Sequence, residues 1–212
     1  MRTILYCATI VGTFLYGMIF RYPATFFMET EKKKRYVEKI ALRWARNCMW
    51  AAGSKVSLVY KNKELIDEII KNNEAFVLIS NHQSNIDIQV ILGYFPKRVA
   101  FIAKKEMEKW PLIGGWMKAM GCIFLDRKNA RQGMKDMKNA MGKIQKGYSY
   151  VIFPEGGRTP DGSVKDFKKG SFRLATDTKA KIIPVTIDGT YKVQRKGSLK
   201  VKGNKNIKMI ID

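Results

Sequence analysis

The sequence predicts an α/β domain in which a mostly parallel or mixed sheet is flanked by helices, preceded by an N-terminal hairpin of two helices. Two observations predict this class. From residue 55 onwards, short apolar runs typical of buried strands alternate with segments of helical periodicity. Ahead of them lie an uncharged apolar run and a basic amphipathic segment, each long enough for one helix. We therefore expect the hairpin over residues 1–53 and the α/β domain over residues 54–212.

The composition allows one substantial core and indicates an anionic partner. The chain has 212 residues, of which 46% are apolar, and its 40 Lys and Arg against 18 acidic residues give a formal net charge of +22. Such an excess favours nucleic acid, an acidic protein or a membrane surface that carries anionic lipid. Cys7, Cys48 and Cys122 are odd in number and far apart, which disfavours a disulfide framework or a zinc site and suits a reducing compartment.

The first helix is predicted over residues 3–20, where no charged residue lies between Arg2 and Arg21. Eighteen helical residues measure about 27 Å, slightly less than a hydrocarbon core of about 30 Å. Spanning the membrane and lying in its interface both remain open. A cleaved signal peptide is the competing interpretation, which is disfavoured because only Arg2 would supply its basic region.

The second helix is predicted over residues 31–52, where Val37, Ile40 and Trp44 recur at helical spacing among many Lys and Arg. An ordinary surface helix would have the same pattern. Directly after an apolar helix, however, the pair predicts a membrane-docking hairpin with its turn near residues 22–23. The basic flank predicts a membrane-associated protein with its following domain on the cytoplasmic side.

Strands and helices alternate in the remaining chain. The clearest helix is predicted over residues 130–146, with methionines on one face that we interpret as core rather than as a cofactor site. Residues 207–212 alternate between apolar and polar like a further strand. The other predicted strands are residues 56–60, 75–80, 99–103, 122–125, 148–153 and 182–187.

A polar turn at residues 81–87 carries the only histidine of the chain, between a predicted strand and a helical pattern. The Asp87 carboxylate could bond one ring nitrogen of His82 and leave the other free to accept a proton. Alternatively, Ser84 and Asp87 form a capping box at the helix start and His82 merely precedes it. Both roles are compatible if one carboxylate oxygen meets a helix amide and the other meets the imidazole.

Three further clusters lie at or beyond predicted strands. They are residues 104–127, residues 153–162 and the apolar residues 182–187. In open α/β sheets, ligands bind beyond the carboxyl ends of the strands. We therefore expect the His82 turn and the first two clusters to meet at one edge of the sheet.

These stretches resemble the four sequence blocks of the glycerolipid acyltransferases, the family of 1-acylglycerol-3-phosphate O-acyltransferases. Residues 81–87 match the H-x4-D block, residues 104–127 resemble the second block, residues 153–158 (Phe-Pro-Glu-Gly-Gly-Arg) resemble the F-P-E-G-T-R block, and residues 183–185 (Ile-Pro-Val) the fourth. One H-x4-D pattern is common by chance, but four blocks in the family's order are not.

The resemblance implies transfer of a fatty acyl group from acyl-CoA or acyl carrier protein to lysophosphatidic acid, which forms phosphatidic acid for phospholipid biosynthesis. His82 would be the general base and Asp87 would orient it. No acyl-enzyme, bound cofactor or metal is implied. The family associates its second and third blocks with the phosphorylated acceptor, which assigns substrate binding to Lys104, Lys105, Arg127, Glu155, Gly156, Gly157 and Arg158.

Other interpretations remain at three points. Gly157 stands where the family usually has Thr, so another lysolipid or glycerol phosphate is an alternative acceptor. A Ser-His-Asp hydrolase is disfavoured because Ser84 lacks a G-x-S-x-G elbow and suits a helix cap. A nucleic-acid-binding domain would explain only the charge, so the expected partners are anionic membrane lipid, a lysophospholipid and acyl carrier protein.

Overall fold

The computed structural model describes residues 1–203 and 205–212, and within them seven strands and eight α-helices confirm the α/β class. The helices are α1 Arg2–Tyr16, α2 Thr30–Ala52, α3 Lys63–Lys71, α4 Ile86–Tyr94, α5 Ile113–Ala119, α6 Ala130–Ile144, α7 Arg173–Thr178 and α8 Thr190–Val193. The strands are β1 Lys55–Tyr60, β2 Phe76–Ser80, β3 Ala100–Lys104, β4 Ile123–Leu125, β5 Tyr150–Ile152, β6 Lys181–Asp188 and β7 Asn206–Ile211.

The strands form one sheet in the order β1-β7-β6-β2-β5-β3-β4. All neighbouring pairs are parallel except β6 and β7, so the predicted mostly parallel or mixed sheet is confirmed. Every residue of the central strand β2 is buried, as expected for a strand covered on both faces. On β6, buried and exposed residues alternate from Ile183 onwards.

The connections change direction between β2 and β5. The chain leaves β2 through α4 toward β3, whereas it leaves β5 through α7 toward β6 on the other side. Since parallel crossovers are right-handed, α4 lies on one face of the sheet and α7 on the opposite face. Such a switch point leaves a crevice at the carboxyl ends of the two strands, where α/β proteins bind their ligands.

The N-terminal segment packs against the domain through its two helices. A π-helical turn (Gly17–Arg21) and a 3₁₀ turn (Pro23–Phe27) follow α1. Gly53 caps the end of α2, and its positive φ of 66° suits glycine. Tyr6 and Met49 belong to the same hydrophobic core as the strands. The two helices therefore share one hydrophobic core with the sheet. The division into two domains at residue 53 stays a prediction.

The helical segment Arg2–Phe27 is long and apolar enough to cross a membrane, and only 11% of its apolar stretch of 18 residues is buried. Length and composition alone are weak evidence for a membrane span. The observation agrees with the predicted apolar helix and extends it beyond residue 20.

All predicted strands lie within two residues of their observed bounds. The largest difference is at β5, which was expected over residues 148–153 but contains only Tyr150–Ile152. Tyr148 precedes the strand, and Phe153 leaves it to stack on the His82 ring. The predicted C-terminal strand is β7, which lies between β1 and β6 inside the sheet.

Candidate active site

Asn81 anchors the turn that follows β2. Its side-chain amide donates to the backbone carbonyl of Ile187 at 2.9 Å, and its side-chain oxygen accepts from the Ile187 N–H at 2.8 Å. These two bonds join the end of β2 to β6, the strand that contains the fourth sequence block. The turn that carries His82 is therefore attached on one side to a neighbouring strand.

The structure brings His82 and Asp87 together. The His82 Nδ1 atom lies 2.8 Å from Asp87 Oδ2, and Asp87 is completely buried. The same Oδ2 accepts the backbone N–H groups of Gln83 and Ser84 at 2.7 and 2.9 Å, while Oδ1 accepts the Thr190 hydroxyl at 2.5 Å. The carboxylate thus binds both the imidazole and the backbone of the turn. Both sets of bonds use Oδ2, whereas we expected one oxygen for the imidazole and the other for a helix amide.

This arrangement determines which ring nitrogen can act as a base. A carboxylate that already accepts two backbone N–H groups is an acceptor for Nδ1–H, so Nε2 carries the free lone pair of neutral His82. Among the described residues, Nε2 has no hydrogen-bond partner. The ring stacks on Phe153 with 4.0 Å between centroids and 17° between planes, and 16% of the His82 side chain is exposed.

The loop after β5 holds the backbone of His82 from both sides. Glu155 Oε1 accepts the His82 N–H at 2.7 Å, and the Thr159 N–H donates to the His82 carbonyl at 3.0 Å. The other Glu155 oxygen accepts the Lys165 N–H at 3.1 Å, and the side chain is buried. Glu155 was predicted to bind substrate, but both of its oxygens bond backbone amides, which makes it a brace between the first and third blocks.

Cationic side chains surround Gly156. Arg127 donates from Nη1 to the Gly156 carbonyl at 3.0 Å, which brings this predicted residue to the third block. The Lys168 ammonium also lies near Gly156, since a Cβ on this glycine would lie 2.9 Å from Nζ. A positive φ of 72° also requires glycine here. Gly157 differs, because a Cβ added there would meet no atom within 4 Å.

The predicted lysines at the end of β3 have different surroundings. Lys105 forms an ion pair with Glu108 at 2.6 Å, which occupies its ammonium. Lys104 is exposed. Within residues 1–203 and 205–212, no carboxylate lies within 4.0 Å of Lys104, Arg127, Arg158 or Lys168. Their positive charge is thus not neutralised by a side chain of this part of the chain.

Ser84 is a helix-start residue whose hydroxyl is already bonded. Its Oγ donates to the Gln194 carbonyl at 2.8 Å and accepts the Ile86 N–H at 3.3 Å. The Asp87 carboxylate accepts the Ser84 N–H, as in a capping box. The Ser84 hydroxyl, however, accepts the backbone N–H of Ile86 instead of the backbone N–H of Asp87. Because its proton points to Gln194, Ser84 is not arranged as a nucleophile that His82 activates.

The buried cysteines offer no alternative nucleophile. Burial raises the pKa of the Cys48 thiol to about 12 and that of the Cys122 thiol to about 11. Both thiols are therefore protonated at neutral pH, and only a thiolate attacks an acyl group efficiently.

Sequence reasoning did not assign three residues of this site. Phe153 stacks on His82, Thr190 bonds Asp87, and Lys168 contacts Gly156. Phe153 belongs to the third block, so its motif could have suggested a role. Thr190 and Lys168 lie outside all four blocks, and only the folded chain brings them to the site.

Comparisons with known proteins give a family model and several similar sequences. The Acyltransferase family model matches residues 59–188. A chloroplast 1-acyl-sn-glycerol-3-phosphate acyltransferase of Arabidopsis thaliana is 32% identical over 100% of this chain and 58% of its own length. A 1-acyl-sn-glycerol-3-phosphate acyltransferase of Cocos nucifera is 33% identical over 74% of this chain and 49% of its own. The chain therefore spans about half the length of these curated relatives.

A solved structure is similar over the whole chain. The crystal structure of the 1-acyl-sn-glycerophosphate (LPA) acyltransferase PlsC from Thermotoga maritima matches with a TM-score of 0.83 and 30% identity. The match covers 100% of this chain and 82% of that protein. With a family model over more than half of its residues and this close structural relative, the chain belongs to the Acyltransferase family.

Proposed function

We propose that this protein transfers a fatty acyl group from an acyl thioester to the free hydroxyl of lysophosphatidic acid, which forms phosphatidic acid. The observation that carries the proposal is the imidazole of His82, oriented by buried Asp87, at the switch point of the sheet. The names of the similar proteins support this acceptor, since they are acyltransferases of 1-acyl-sn-glycerol-3-phosphate.

In the proposed reaction, His82 is the general base and then the general acid. Nε2 takes the proton of the acceptor hydroxyl while the hydroxyl oxygen attacks the thioester carbonyl carbon. When the tetrahedral intermediate collapses, the C–S bond breaks and the thiolate receives the proton from Nε2. Asp87 keeps Nδ1 protonated and stabilises the transient imidazolium. General base catalysis of this kind contributes roughly 100- to 10,000-fold, and no acyl-enzyme is needed.

The cations around the loop after β5 would bind the acceptor phosphate. Arg158 has a planar guanidinium that can bond two phosphate oxygens at once, and Lys168 adds a compact charge beside Gly156. Of the two predicted lysines, Lys104 is the more available to a phosphate, because the Lys105 ammonium is paired with Glu108. Arg127 donates one N–H to the Gly156 carbonyl, and its other N–H groups can donate to a ligand.

The acyl donor and the membrane complete the proposal. The donor is an acyl thioester, acyl-CoA or acyl carrier protein, and a chain with a net charge of +22 suits either of these anionic carriers. The N-terminal hairpin would hold the enzyme at an anionic membrane surface, with the catalytic domain on the cytoplasmic side. Its large apolar side chains that are at least half exposed are Met1, Ile4, Val11, Tyr16, Ile19, Phe20, Phe26, Phe27 and Trp50.

A different acceptor is the second candidate, and Gly157 is the observation that favours it. Where the family usually has Thr, this chain has open space, since an added Cβ would meet no atom within 4 Å. A phosphate that carries a further headgroup would need such room. A lysophospholipid with a substituted phosphate is therefore the alternative, with the same chemistry at His82.

Thiol release from acyl-CoA by the purified full chain, measured with three acceptors, tests the proposal. Lysophosphatidic acid, a lysophospholipid with a substituted phosphate, and glycerol phosphate are compared at equal concentration in anionic vesicles. The proposal expects the highest kcat/KM for lysophosphatidic acid, and no thiol release when no acceptor is present. Preference for the substituted lipid supports the alternative, and no dependence on any acceptor, with either thioester donor, refutes both.

A further inference from the structure

We infer that Thr190 is a positioning residue of the active site, the third member of a hydrogen-bonded chain that runs from Thr190 through Asp87 to His82. The inference rests on the proposed function, because it concerns how the general base of that reaction is held. None of the four sequence blocks contains Thr190, which follows the fourth block by five residues.

The contact is direct and completely buried. The Thr190 Oγ1 atom lies 2.5 Å from Asp87 Oδ1, and neither residue is exposed to solvent. A second acceptor, Gln83 Oε1, lies farther away at 3.3 Å. A hydroxyl has one hydrogen, so the shorter contact with the charged acceptor takes it.

The remaining donors to Asp87 all bond its other oxygen. His82 Nδ1 and the backbone N–H groups of Gln83 and Ser84 meet Oδ2. Within the described part of the chain, Thr190 is therefore the hydrogen-bond donor to Oδ1. Since Oδ1 and Oδ2 are fixed from opposite sides, the carboxylate cannot rotate about its last bond, and Oδ2 stays directed at the imidazole.

The local backbone makes the position of Thr190 specific. Gly189 has a positive φ of 95°, and a Cβ there would lie 2.7 Å from the Asn206 carbonyl of the neighbouring strand. This tight turn ends β6 and begins α8 with Thr190. The turn after β6 thereby brings the Thr190 hydroxyl to the first block, in addition to the bonds between Asn81 and Ile187.

Removing the hydroxyl has a chemical effect that a loss of packing alone would not have. The negative charge of Asp87 would be less dispersed, so the imidazolium of His82 would be stabilised relative to the neutral base. The acid limb of the pH profile of kcat/KM would then move to higher pH. The other carboxylate that contacts His82 is Glu155, which bonds its backbone N–H and stays unchanged in the test.

The experiment compares Thr190→Val with Thr190→Ser in the full chain. Val has the shape of Thr without the hydroxyl, and Ser keeps the hydroxyl without the methyl. We expect Thr190→Val to lose roughly tenfold in kcat/KM or more, consistent with one bond to a charged group. We expect the acid limb of the profile to move to higher pH. Thr190→Ser should stay within about threefold of wild type, with an unchanged profile.

Equal kcat/KM values and pH profiles for the two variants would overturn the inference. If Thr190→Val does not fold, judged by its thermal midpoint, Thr190→Ala compared with Thr190→Ser gives the same test. Failure of the proposed function looks different, since wild type would then show no acceptor-dependent transfer, or His82→Ala would keep it. Loss of transfer in His82→Ala together with equal Thr190 variants refutes only the role of Thr190.

Discussion

Replacing Asp87 with Asn removes one charge from the site and leaves the shape of the side chain. The Asn carbonyl oxygen can take the place of Oδ2 and accept Nδ1–H and the two backbone N–H groups. The Asn amide then faces Thr190, whose hydroxyl can turn to donate to Gln83 Oε1 at 3.3 Å. Every buried polar group keeps a partner, so we expect the fold to persist.

The lost charge sets the size of the kinetic effect. With 2.8 Å between Nδ1 and Oδ2, the charge centres of an imidazolium and a carboxylate lie about 4 Å apart. At an effective dielectric constant of about 20, their attraction is about 4 kcal/mol. We therefore expect kcat/KM of Asp87→Asn to fall roughly a thousandfold for transfer to lysophosphatidic acid.

Asp87→Ala is the matched control that separates charge from architecture. It leaves the backbone N–H groups of Gln83 and Ser84 and the Nδ1–H of His82 without their acceptor. At about 1 kcal/mol or more for each, the free energy of unfolding should fall by about 3 kcal/mol or more. The assay is thiol release together with thermal unfolding. A folded Asp87→Asn within tenfold of wild-type kcat/KM would refute the proposed role of the carboxylate.

Three further predictions concern the acceptor and the membrane. Arg158→Ala and Lys168→Met should each raise the acceptor KM about tenfold with a smaller change in kcat. Lys71→Met, an exposed control on α3, should change neither constant. Acceptor KM values equal to that of wild type would remove Arg158 and Lys168 from the phosphate site. Gly157→Thr should fold normally, because an added Cβ meets no atom within 4 Å, and should lower kcat/KM for substituted phosphates more than for lysophosphatidic acid. Replacing exposed Phe26 and Phe27 with Ser should weaken flotation with anionic vesicles, and unchanged flotation would exclude this surface.

Local patterns in the sequence were sufficient for the elements and for the central pair. The apolar run Phe76–Ile79 of β2 and the alternation along β7 correspond to their positions in the sheet. His82 and Asp87 are five residues apart across a strand-to-helix turn, so short-range geometry could predict their contact. The position of the site at the carboxyl ends of the strands followed from the alternation of strands and helices.

Long-range contacts account for what the sequence did not predict. Thr190 bonds Asp87 across 103 residues, and Asn81 bonds Ile187 across 106, which no local pattern encodes. The buried role of Glu155 was missed for the same reason, since its partner is a backbone amide 73 residues away. Lys104 and Lys105 are equivalent in the sequence. In the fold, Glu108 distinguishes them because it pairs with the Lys105 ammonium.

Phosphatidic acid formed from acyl-CoA and lysophosphatidic acid, by wild type and by His82→Ala, tests the central claim most directly. Both proteins are measured in the same anionic vesicles, with thermal unfolding to verify that the variant is folded. We predict product from wild type and a loss of at least about 100-fold in His82→Ala, as expected when the general base is removed. A folded His82→Ala that forms product within tenfold of the wild-type rate would contradict the role of His82.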